Sequence, residues 1–144
     1  MTMQTDTNRA GWATAAILVG RLVFAALFIM AVSFKLMGIK QTADFIAAAG
    51  FPIPLVLAWL AALLELGLVA AFLTGAFFSE AALVAAVYVV FLGFSFHGPS
   101  HWKTNQSEFG FFVDHFTFMA GLLFAAANGP GRVLTLRRGW LSRT

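Results

Sequence analysis

PLVLAWLAALLELGLVAAFLT, residues Pro54 to Thr74, is long enough to cross a bilayer and carries one charge, Glu65, near its middle. A hydrocarbon core of ~30 Å requires about 20 apolar residues in a helix, with every backbone polar group bonded inside that helix. A carboxylate in that setting costs roughly 2.5–3.5 kcal/mol on insertion scales, so Glu65 is expected to face protein and find a partner. The rest of the chain must supply that partner and the bundle that holds it.

Composition agrees with a membrane setting. Of 144 residues, 60% are hydrophobic and only 10% charged, where a soluble domain has about 25% charged. Mean hydropathy is +0.86. The seventeen Phe read chiefly as lipid-facing bulk. Length allows one domain and no soluble catalytic domain beside the spans. The pI near 10.0 is no nucleic-acid signal, because the basic residues are scattered or gather at the C-terminus without an aromatic-interleaved stripe. The absence of Cys excludes a CxxC redox pair, a thiolate metal site and a disulfide framework.

Outward from the central span, the sequence predicts an all-α polytopic membrane protein, an antiparallel bundle of four transmembrane helices. Residues 1–12 read as a polar, loose tail that is no secretory signal, because the apolar run after it is too long and contains Arg21. The first span covers about 13–37. Arg21 and Lys35 are fourteen positions apart, ~21 Å along the axis and about 40° short of four turns, so they share a face. Phe24, Ala25, Phe28 and Val32 fill the stripe between them. A short amphipathic piece (Thr42 to Ala49) precedes Phe51-Pro52-Ile53-Pro54, whose prolines set the start of the span at 54–74. Ser79 is the expected N-cap of a third span, 80–97, with Ala81, Ala85, Tyr88, Leu92 and Ser95 on one stripe. It stops at His97-Gly98-Pro99. A loop with His101, Trp102 and Lys103 leads to a fourth span, 109–127. There Gly110, Asp114, Thr117 and Gly121 form a small polar face expected to pack inward. Residues 128–144 are a basic tail. Five arginines (Arg9, Arg132, Arg137, Arg138, Arg143) flank one side, against Lys35, Lys40 and Lys103 on the other. This bias predicts both termini in the cytoplasm.

Counted from these span ends, Arg21 and Glu65 each lie eight residues, ~12 Å, from the same face. Equal depth and opposite sign predict an Arg21–Glu65 ion pair, which relieves both charges. A second polar group gathers toward the other face: Lys35, His97, Asp114 and His115, with His101 on the loop nearby. Histidine exchanges protons near neutral pH, and Asp114 is placed to orient it or pair with Lys35. A metal is not expected, since Gly98-Pro99 breaks any i,i+4 pair and the ligands would come from separate elements.

These residues resemble the DoxX family of small bacterial four-helix membrane proteins. The resemblance covers roughly Ile17 to Leu136. It rests on Gly20-Arg21, Phe34-Lys35-Leu36, Gly50-Phe51-Pro52, Leu64-Glu65-Leu66-Gly67, Phe96-His97-Gly98 and Gly129-Pro130-Gly131-Arg132, in that order. Val32 stands where the family usually has Gly, and Val-Leu-Thr-Leu-Arg-Arg replaces the family's Ser-Leu-Asp after Gly131. The resemblance implies a bacterial inner-membrane component of redox systems, with oxidoreductase partner subunits and quinone-linked chemistry; self-association is compatible with it. On this reading Lys35 and His97 bond the oxygens of a quinone headgroup, Asp114 or His115 relays protons, and Arg21–Glu65 closes the floor. The competing expectations are a membrane anchor or assembly factor, and a small proton or solute conductor along the Arg21-to-Lys35 stripe.

Overall fold

The computed structural model describes residues 3–136 and 139–141, with side chains from Gly11 onward. Five helices follow one another: α1 (Met3–Met37), α2 (Ile39–Ala48), α3 (Pro54–Thr74), α4 (Phe78–His97) and α5 (Ser107–Asn128). Among the described residues there is no strand. Four helices are long and apolar enough to span a membrane: α1 from Gly11, α3, α4 and α5. The chain is thus an all-helical, multi-pass membrane protein.

Several boundaries differ from the sequence reading. The helix of the first span begins at Met3 instead of following a loose tail, since no Pro or Gly pair interrupts the polar residues before Trp12. Ser79 is not a cap. The capping position falls on Phe77, in the left-handed region at φ 52°, and Ser79 is the buried second residue of α4. The Arg9 side chain and Arg137, Arg138 and Arg143 lie outside the described residues.

The bundle is two hairpins. α1 packs along α3, and α4 along α5, with the closest backbone approach in the second pair. Gly93 permits that approach: a Cβ there would sit 3.0 Å from the Cβ of His115. Between the hairpins lies an aromatic layer. Phe24 and Phe28 of α1 meet Phe72 of α3 and Phe118 of α5 at centroid separations of 5.5 to 5.8 Å. Phe28, Phe72 and Phe78 are buried, so these rings are core as well as lipid-facing bulk, a use that composition alone does not separate. They also fill the stripe between Arg21 and Lys35 with aromatic rings.

α5 turns a different face inward from the one expected. Leu122 is buried, and Phe118 and His115 meet the other helices, while Gly110, Asp114 and Thr117 are exposed. Large aromatic surface displaces the small polar stripe from the interface because it has more apolar area to bury there. Only Gly121 keeps an inward contact, against Phe24.

Candidate functional site

Arg21 and Glu65, each 1% exposed, are not partners. Lys35 Nζ lies 2.8 Å from Glu65 Oε1, and the Tyr88 hydroxyl donates to the same oxygen at 2.8 Å. Glu65 Oε2 is buried without a hydrogen-bond partner among the described residues. Equal distance from the span ends does not bring Arg21 level with Glu65, because α1 and α3 end at different levels. With Lys35 opposite Glu65, α3 runs about nine residues, ~13 Å, further toward this end than α1. α2 occupies the space so created, with Ala43 and Ile46 buried and Phe45 stacked on Phe96 at 5.0 Å.

Arg21 lies at the opposite end of the bundle, level with Gly75. Its Nη1 donates to the Pro130 carbonyl at 2.9 Å and to Thr135 Oγ1 at 2.8 Å; Nη2 donates to the Leu134 carbonyl at 2.9 Å. The segment after α5 therefore folds back across the bundle end. Leu136 N–H donates to the Thr74 carbonyl at 2.8 Å, and Leu141 N–H to Glu80 Oε1 at 2.8 Å. Gly75 is the residue that lets this segment in. It has φ 72°, and a Cβ would come within 2.8 Å of Thr135 Cγ2. Leu134 sits at φ 50°, a strain of about 1–3 kcal/mol in a non-glycine residue, and the Arg21 bond to its carbonyl holds it there. The expected floor of Arg21 with Glu65 is thus replaced by two separate polar sites at opposite ends.

Of the expected second group, Lys35, His97 and His115 do converge. They line one groove of about 550 Å³ together with Tyr88, Phe34, Phe45 and Phe96. Glu65 stands behind Lys35 and Tyr88 and does not line it. Asp114 is outside the groove, on the exposed face of α5, and pairs with neither Lys35 nor a histidine. His97 closes α4 and receives support from three sides. Its Nδ1 is 2.6 Å from Glu108 Oε2, its carbonyl accepts from Trp102 Nε1 at 2.9 Å, and its ring centroid is 5.2 Å from that of His115. His115 Nδ1 donates to the Phe111 carbonyl at 2.7 Å. Among the described residues no three of His, Asp and Glu gather closely enough to hold a metal ion.

Tyr88 and Glu108 were not singled out in advance. Tyr88 is the one tyrosine of the chain and shares a stripe of its span with Ala81, Ala85, Leu92 and Ser95, so a signal existed. Glu108 pairs across a loop whose path no periodicity describes. A second, more apolar cleft of about 310 Å³, walled by Leu57, Leu60 and Phe91, adjoins the groove and shares Ile46, Ala61, Tyr88, Leu92 and Phe96 with it.

The DoxX family model matches residues 16–98, a stretch that contains Arg21, Lys35, Glu65, Tyr88 and His97 and ends before Glu108 and His115. No curated protein and no solved structure matches the chain. The match takes in more than half of the 144 residues, and the chain belongs to the DoxX family.

Proposed function

We propose that the groove binds the headgroup of a membrane quinone, as part of an oxidoreductase system. The observation that carries this reading is the convergence of Lys35, Tyr88 and two imidazoles on one aromatic-walled groove. Concave, mostly apolar sites with a few convergent polar groups are the usual form of small-molecule sites. Lys35 keeps N–H donors beyond the one aimed at Glu65, and Phe34, Phe45 and Phe96 offer faces and edges for a ring. The adjoining apolar cleft suits an isoprenoid tail, and its wall residues Leu57, Leu60 and Phe91 lie between α3 and α4. Of the residues expected to hold a quinone, Lys35, His97 and His115 retain that role; Glu65 positions Lys35 and Tyr88, while Arg21 and Asp114 have no place in it.

His97→Ala is expected to lower affinity for the headgroup, titrated in its reduced, hydroxyl-bearing form, roughly 5- to 150-fold, the equivalent of one buried hydrogen bond of about 1–3 kcal/mol. The fold should persist, because truncation at a helix end opens no core cavity and Glu108 can turn to water. Titration of parent and variant in nanodiscs checks this. Equal affinities, or no binding to the parent, would discard the headgroup assignment. The anchor reading would then lead, and the uncovered stripe of Gly110, Asp114 and Thr117 on α5 favours it as a place for a partner helix.

In the same reading the protein resides in a bacterial cytoplasmic membrane with both termini inside, from the excess of arginine on that side. A periplasm-active reporter fused after Arg143 should be silent, and one inserted near Asn105 active. The reverse pattern would place the groove toward the cytoplasm.

A further inference from the structure

His97 and His115 come from different helices and line the same groove. Each turns Nδ1 to an acceptor, the Glu108 carboxylate for His97 and the Phe111 carbonyl for His115. A carbonyl oxygen only accepts, so neutral His115 must carry its proton on Nδ1, and an ionised Glu108 imposes the same tautomer on His97. In a neutral ring with Nδ1 protonated, Nε2 is a bare lone pair. Neither Nε2 has a hydrogen bond among the described residues. Both rings line the groove with an Nε2 that no protein group occupies among the described residues, and the Lys35 ammonium lies on another helix.

Resting on the headgroup reading, we infer that the groove is built for the reduced, hydroxyl-bearing form of its ligand, a hydroquinone, and that His97 receives a hydroxyl proton. A quinone carbonyl facing Nε2 would oppose lone pair to lone pair; a hydroxyl facing it makes a hydrogen bond. In the transfer the ligand O–H bond breaks, an N–H bond forms at Nε2, and the electron pair remains on the oxygen. The resulting imidazolium is held by Glu108, and the phenolate shares the groove with Lys35. No electron moves in this step. The ionisable groups around the two rings are Glu108, Lys35, Tyr88 and, in the small cavity beside His97 and Glu108, His101.

The test uses the full chain in nanodiscs, titrated without oxygen with a short-tailed benzoquinone and, separately, with its hydroquinone. The hydroquinone should bind at least about tenfold more tightly. Glu108→Ala, which removes the partner of His97 Nδ1 from outside the groove, should narrow that ratio toward one, because the His97 ring then takes either tautomer. Nitrogen NMR of the histidine-labelled protein without ligand, with His101→Asn to assign the remaining rings, should show both as Nδ1–H tautomers. Either ring as the Nε2–H tautomer overturns the inference independently of any ligand. Equal or tighter binding of the quinone overturns it while leaving the headgroup site standing. Binding of neither form overturns both.

Discussion

Lys35→Met will destabilise the bundle by about 3–5 kcal/mol, the usual consequence of leaving one member of a buried ion pair without its partner. Glu65 is 1% exposed, and its Oε1 would keep only the Tyr88 hydroxyl. The thioether keeps the volume of the lysine stem, so the loss reports charge more than packing. Glu65→Leu should be similarly costly, since Lys35, 21% exposed, must then turn its ammonium toward the groove. The double replacement should recover part of the loss, giving a coupling energy that the Arg21–Glu65 pair will not show. Those two residues share no partner and are ~15 Å apart by the ten-residue step from Glu65 to Gly75, so Arg21 and Glu65 variants should add. Melts in detergent measure all of these. Parent-like stability in Lys35→Met would mean that water reaches Glu65.

Arg21→Met will be comparably destabilising, about 3–5 kcal/mol, because three charge-assisted hydrogen bonds disappear together. Its signature is local. The amide of Leu136, bonded to the Thr74 carbonyl, and the amide of Leu141, bonded to Glu80, should lose protection in hydrogen exchange. Protection in the middle of α3 should change little. Arg21→Lys should rescue only in part, since an ammonium cannot span the Pro130 and Leu134 carbonyls as a planar fork does. Ligand affinity at the groove, ~21 Å away along α1, should not follow. If the two amides stay protected in Arg21→Met, the return of the chain after α5 depends on Trp140 against Phe77 more than on the guanidinium.

The four spans were legible because apolar runs near 20 residues leave few alternatives, and the prolines before Pro54 and the His97-Gly98-Pro99 stop punctuate them sharply. The inward positions of Arg21, Lys35 and Glu65 were legible too, since lipid makes exposure of such groups costly. Which charge meets which was not. Pairing depends on how far neighbouring helices slide: with Arg21 level with Gly75, ten residues along α3 from Glu65, Lys35 becomes the partner of Glu65. The partners of Arg21 are backbone carbonyls at Pro130 and Leu134, and every residue type carries such a group. The face of α5 was misjudged for a related reason: small polar residues mark a helix able to approach closely, but Phe118 and Leu122 decide what is buried.

The layer of Phe24, Phe28, Phe72 and Phe118 separates the Lys35 end from the Arg21 end with hydrocarbon alone. The rings of that layer carry no ionisable group, and hydrocarbon is a poor path for ions. On the proposed quinone reading, a proton released into the groove leaves by the face on which it was released, and the chemistry proposed at Lys35, Tyr88 and His97 would be scalar with respect to the membrane.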